Sequence, residues 1–231
     1  LASIDATLAL AAAGEMSMAE SAGFLTTTIK AMGLAVEDAS YLADIYAKGA
    51  TMANTSTTQF GEAVTSAASM AGAYNQSLES TGTALLLLAE KGYQGSVAGT
   101  YLSRAMSDLY APTDNAASAL EELGVSAYDS EGKQRDFLDV VNDLNAAFAA
   151  MTEEEKASYS GMIFTTAGLK AFNSIAANSA DTIEDFKSNL IDCAGAAQSM
   201  ADTKLDNLQG DITILKSAAE GFGISLYEGV N

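Results

Sequence analysis

Residues 93–125, YQGSVAGTYLSRAMSDLYAPTDNAASALEELGV, run directly into residues 126–144, SAYDSEGKQRDFLDVVNDL, and this stretch decides the fold. It reads as a helix, a proline-marked break at Leu109 to Thr113, a second helix ending at Leu123-Gly124-Val125, a tight return, and the start of a third helix. Asp129 and Gly132 are turn residues, and Gly132 can take the positive φ that a tight return needs. The pattern predicts two short strands, near Ser126–Tyr128 and Lys133–Arg135. Such a hairpin is marginal alone and must rest on helices.

Upstream of this stretch, Ile4, Leu8, Ala11, Phe24, Leu25, Ile29 and Met32 follow helical spacing that Gly14, Gly23 and Gly33 interrupt. A clear helix starts at Val36-Glu37-Asp38 and is expected to stop at Lys48-Gly49, a basic last turn followed by glycine. Asn54 to Thr58 supply N-cap candidates for the next helix. Ser77-Leu78-Glu79 starts another, centred on Leu85 to Leu88 and ending at Glu90-Lys91-Gly92. Glu37 matches Glu79 and Ala47 matches Ala89 at an offset of about 42 residues, a weak helix-pair repeat implying stacked helices.

Downstream, Phe137, Val140, Val141, Leu144 and Phe148 mark a helix with a broad apolar face. Thr152-x-x-Glu155 is a capping box. Asp181-x-x-Glu184 is expected to cap the last element. Phe186, Leu190, Cys193, Ala197 and Met200, then Leu208, Ile212, Leu215, Phe222 and Leu226, predict one long helix of coiled-coil character with a stutter at Lys204. The fold class expected is therefore all-α, a multi-helix bundle of stacked helical hairpins, with one small β-hairpin near 126–135 and a long C-terminal helix. Three regions are expected: helical hairpins over 1–92, a motif-bearing core over 93–150, and C-terminal helices over 151–231.

Composition narrows the function. Among 231 residues, 30 acidic side chains against 11 basic give a net charge of −19, which opposes a surface that grips nucleic-acid phosphates. There is no histidine, so a His-based triad and a His-ligated zinc site are excluded in this segment. The phosphate-loop, nucleophile-elbow and dinucleotide fingerprints are absent. The turn at Asp129 lacks the further ligands of a calcium loop. Glu121-Glu122 and Glu153 to Glu155 are the paired carboxylates, and both fall on helix ends or open faces. No enzyme, cofactor, metal or small-molecule substrate is expected. The single Cys193, at an apolar helical position, reads as a small buried hydrophobe. The apolar run Ala84 to Ala89 is far short of a membrane span, which takes about 20 residues. Without a signal peptide, and starting at Leu1, the chain reads as a soluble piece of a larger protein. The Gly95-x-x-x-Gly99 spacing invites a close helix contact, either within the chain or with another molecule.

Taken in order, G-S-x-A-G-T at 95–100, P-T at 112–113, L-G-V at 123–125 and Y-D-x-x-G-K at 128–133 resemble the core region of phage tail tape-measure proteins. The residues carrying the resemblance are Gly95, Ser96, Gly99, Thr100, Pro112, Thr113, Gly124, Tyr128, Asp129, Gly132 and Lys133. The resemblance implies a structural role in the tail of a long-tailed phage or prophage. It implies a protein made in the host cytoplasm that lies in the tail-tube lumen, sets tail length, and leaves ahead of DNA. It implies tail-tube protein and tail assembly chaperones as partners, with self-association through the C-terminal helix and no tight nucleic-acid binding. A non-enzymatic helical binding module of a secreted or surface bacterial protein is the alternative, and a cell-wall hydrolase domain would lie outside these residues.

Overall fold

Side chains that accept hydrogen bonds from the first-turn N–H groups set where most helices begin. The computed structural model describes residues 2–207 and 209. The elements are α1 (Ala2–Gly14), α2 (Met18–Met32), a 3-10 turn at Val36–Asp38, α3 (Ala39–Met52), α4 (Thr57–Ala73), α5 (Leu78–Glu90) and α6 (Gly95–Tyr110). There follow α7 (Asp114–Glu122), α8 (Phe137–Phe148), α9 (Glu153–Ile163), α10 (Thr166–Ala176) and α11 (Ala180–Ile191). A further helical segment occupies 196–207. Ser17 with Glu20, Ser56 with Gln59, and Thr152 with Glu155 form reciprocal capping boxes on α2, α4 and α9. Ser77, Thr113, Thr165 and Ser179 cap α5, α7, α10 and α11 with their hydroxyls.

Helix α5 is the centre of the core. Its residues from Ser80 to Ala89 are all buried, and Leu85 to Leu88 are each at most 1% exposed. A helix apolar all round belongs inside, and each of those leucines contributes about 1.5–3 kcal/mol by leaving water. Seven of the other helices join it in two rows. In one, α1 packs on α3, α3 on α5, and α5 on α11; in the other, α2 packs on α4, α4 on α6, and α6 on α10. A close crossing joins α4 and α6 at Gly99. A Cβ there would collide with the Ala63 carbonyl oxygen and lie 3.2 Å from the Ala67 nitrogen. Among the described residues, no helix is long and apolar enough to cross a membrane.

Several expectations are corrected. The β-hairpin at 126–135 is absent: a single antiparallel bridge, Tyr128 to Gln134, stands where two strands were predicted. The ladder stops at the two bonds of that bridge, Asp129 N–H to the Lys133 carbonyl and Arg135 N–H to the Ala127 carbonyl. Beyond it, the Arg135 carbonyl accepts from Tyr110 and Gln76, and the Lys133 N–H goes to the Asp129 side chain. Ser126 Oγ accepts the Tyr128 N–H at 3.1 Å, and Asp129 Oδ1 accepts the N–H groups of Glu131 and Lys133 at 2.8 and 2.9 Å. The long C-terminal helix is also broken. α11 stops at Ile191, and Gly195 turns the chain with φ of +75° before helix resumes at 196. Asp44 on α3 accepts the N–H groups of Gly195 and Ala197, both at 2.9 Å, and so caps the new start. The part of that predicted helix beyond 209 lies outside the described residues. Helix α3 runs past Gly49 to Met52, because the missing Cβ makes room for the Phe60 ring. Ser179, rather than Asp181, caps α11.

Candidate functional site

The residues that carry the family motif fall at the two ends of α6. Gly95, Ser96, Gly99 and Thr100 lie in its first turns, while Pro112, Thr113, Gly124 and the 128–133 loop gather beyond Tyr110. The 15 steps from 95 to 110 separate them by about 22 Å. They make two structural stations, not one site.

At the first station, Gly99 is the contact described above. Gly95 has φ of +57°, and a Cβ there would meet Glu62 Oε2 at 2.7 Å. Thr100 donates its hydroxyl back to the Ser96 carbonyl at 2.8 Å, and both side chains face solvent. The Gly95-x-x-x-Gly99 spacing thus sits against α4 of the same chain.

The second station is a clasp built on the 126–136 loop. Thr113 Oγ1 accepts the Ala116 N–H at 3.3 Å and starts α7; Gly124, with φ of +69°, lets the chain turn after it. Tyr128 donates its phenol to the Tyr110 carbonyl at 2.6 Å, and Tyr110 donates its own to the Arg135 carbonyl at 2.7 Å. The Tyr110 ring stacks on Tyr74 at 4.8 Å between centroids and meets the Tyr128 edge at 6.2 Å. Burial pushes the Tyr110 phenol far above the ordinary tyrosine range, with the Asp136 charge next. At the tip, Asp129 also donates its N–H to the Lys133 carbonyl at 2.9 Å, and Gly132 takes φ of +78°. The Lys133 N–H, then that of Glu131, holds the exposed Asp129 carboxylate below its usual range. The Lys133 ammonium pairs with Glu131 at 2.8 Å in solvent, where such a pair is worth little.

Residues without a sequence signal close the clasp. Gln76, 6% exposed, donates to the carbonyls of Tyr74 and Arg135 at 2.7 and 3.0 Å and accepts the Phe137 N–H at 2.7 Å. Asp136 caps α8 through Leu138 N at 2.9 Å, accepts the Ser80 hydroxyl, and pairs with Lys187 on α11 at 3.2 Å. Arg135 reaches the Ser126 carbonyl at 2.9 Å and Asp143 at 2.7 Å. Half of these contacts span 51 to 61 positions, beyond any local periodicity. Side chains of the loop and its neighbours are thus spent on one another, which fixes geometry. Among the described residues no group of three or more His, Cys, Asp or Glu could hold a metal ion. A shallow groove of about 430 Å³ beside the clasp is lined by Leu109, Pro112, Leu120, Gly124, Val125 and Tyr128.

Gly99, Thr113, Gly124, Asp129 and Gly132 thus serve a close contact, a cap and turns, whereas Ser96 and Thr100 face solvent. The model of the phage-related minor tail protein family matches residues 1–165. The chain belongs to that family. It is 30% identical over 217 residues to the tape measure protein of Pneumococcus phage Dp-1, covering 94% of this chain and 19% of that protein. It is 28% identical over 225 residues to the probable tape measure protein of Escherichia phage P2, covering 96% of this chain and 28% of that protein. The chain therefore spans between a fifth and just over a quarter of the length of these curated relatives. No solved structure matches it.

Proposed function

We propose that this chain is a folded, non-catalytic part of a tape measure protein that sets the length of a phage tail, occupies the tail-tube lumen during assembly and leaves it ahead of DNA. The observation that carries the reading is the likeness to the Dp-1 tape measure protein along nearly the whole chain. The partners it calls for are the tail-tube protein and tail assembly chaperones. In this reading the three regions 1–92, 93–150 and 151–231 are parts of one ruler, with the motif of 93–150 holding the fold together before the tube closes. Self-association through the C-terminal segment would use faces other than the inward ones, because Ile183, Leu190, Ala197 and Ala201 are already buried within this chain.

Protease added to intact tails, and to tails that have ejected their DNA, tests the lumenal position. This segment should survive in the former and be lost or digested in the latter. Digestion in intact tails would refute it.

A further inference from the structure

None of the chain's 30 acidic residues falls within 91–107 or 156–180, whereas Lys91, Arg104, Lys156 and Lys170 do. These two stretches contain most of α6 and all of α10, which pack on each other. The outward face of α6 carries Ser96, Val97, Thr100, Tyr101 and Arg104 on successive turns. Val97 is 47% exposed, Ser96, Thr100 and Arg104 are exposed, and Tyr101 is half-buried. From α10 the exposed Lys170 donates to the Tyr101 hydroxyl at 3.1 Å, and its ammonium stands 4.9 Å from the centre of that ring. Tyr93 meets Tyr101 edge to face at 5.1 Å between centroids. Among the described residues neither Arg104 nor Lys170 has a carboxylate partner. Asp108, one turn beyond Arg104, is turned to α10, where it accepts the Thr165 N–H and hydroxyl at 2.9 and 2.8 Å. Glu62 of α4 stands beside Gly95 and bounds the face at its other end. In a chain of net charge −19, two exposed cations are thus left uncompensated around an apolar pair.

We propose that this face of α6 and α10 is a docking surface for an acidic segment of another protein, whose carboxylates meet Arg104 and Lys170 and whose apolar side chain covers Val97 and Tyr101. Charge complementarity selects the partner, and tyrosine and arginine are the side chains that anchor protein interfaces best. Ser96 and Thr100, the motif residues that face solvent, lie on the same surface. The arrangement favours an acidic protein segment over nucleic acid. The Tyr101 ring already has Lys170 over it and Tyr93 against it, which makes a poor platform for stacking bases. A short acidic segment responds to cations within a Debye length, about 8–10 Å, whereas a nucleic-acid strand runs on over the surrounding carboxylates. The inference does not depend on the tail-length reading.

The test titrates the isotope-labelled 231-residue chain with an amphipathic peptide that carries glutamate and leucine one turn apart. The same peptide with glutamine for glutamate, and a short oligothymidylate, are the comparisons. The glutamate peptide should shift the amide resonances of Val97, Tyr101, Arg104 and Lys170, bind about tenfold tighter than the glutamine peptide, and weaken as salt rises. Arg104→Glu with Lys170→Glu should weaken it by about tenfold or more while thermal melting changes little, because both side chains are exposed. Equal binding of the two peptides, shifts confined to other helices, no binding of the glutamate peptide, or oligothymidylate bound as tightly would each overturn the proposal. Equal affinity in the double variant and the parent would also overturn it.

Discussion

Adding one methyl group at Gly99 and at Gly23 should move stability in opposite directions. Both glycines lie inside helices, where alanine is favoured over glycine by roughly 0.8–1 kcal/mol. At Gly23 nothing lies within 4 Å of the added Cβ, and the position is exposed, so Gly23→Ala should gain nearly all of that propensity. At Gly99 the Cβ would drive into the Ala63 carbonyl and stand 2.5 Å from the Ser66 Cβ and 3.2 Å from the Ala67 nitrogen. Two of these three obstacles are backbone atoms of α4, which cannot rotate away as a side-chain tip could. Because backbone must shift, the cost falls in the upper part of the range for overpacking a core, about 2–3 kcal/mol. The net for Gly99→Ala is therefore a loss of about 1–2 kcal/mol after the propensity gain is subtracted. For a domain of this size each kcal/mol moves Tm by about 2–4 °C. Thermal and urea unfolding of the 231-residue chain, followed by far-UV circular dichroism, should show Gly23→Ala melting about 2–4 °C higher and Gly99→Ala about 2–8 °C lower. A Gly99→Ala variant as stable as the parent would refute the claim that this glycine seats α6 on α4.

Asp44→Ala should free the start of the 196–207 segment, costing about 1–2 kcal/mol, with faster hydrogen exchange at Gly195 and Ala197; unchanged exchange there would show that Asp44 is not the cap. Tyr110→Phe removes the donor to the Arg135 carbonyl while Gln76 still serves it, so the loss should be about 1 kcal/mol in urea unfolding. The Asp129 turn should be acid-sensitive. Because its folded pKa lies below the ordinary 3.8, its contribution is fully present above that value and is lost as pH falls through the folded pKa, readable in the Glu131 and Lys133 amide resonances. Burial, and then the Asp44 charge, push the Cys193 thiol up to about 11. Iodoacetamide at mildly alkaline pH should leave it unmodified by mass until urea unfolds the chain.

Much of the helical order was legible because its signals are local. The Thr152–Glu155 box, the polar residues around Ser56, the turn at Asp129 and Gly132, and the apolar face from Phe137 to Phe148 act within a few residues of one another. The strands predicted beside that turn failed for a reason only partly local, since the Asp129 side chain took the Lys133 N–H, while Tyr110 and the distant Gln76 took the Arg135 carbonyl. The break after Ile191 was not legible. Its apolar spacing continues across the break, and what caps the new helix start there is a carboxylate on α3, 151 positions from Gly195. Asp108 acts in the same way on α10, accepting the Thr165 N–H at 2.9 Å across 57 positions. The motif residues could be named from the sequence, whereas the partners that make the clasp, Tyr74 and Gln76 in the turn after α4 and Lys187 on α11, are distant from the loop in sequence.

Tail length after in-frame deletion of residues 1–231 from the full-length gene tests the tape measure reading most directly. If these residues lie as continuous helix in the tube, tails should shorten by roughly 350 Å, at 1.5 Å per residue. If the bundle persists there, the radius of gyration of a chain this long, about 17 Å, sets a shortening of at most about 45 Å. The account predicts intact tails that are shorter by an amount within these bounds, and tails of unchanged length would contradict it.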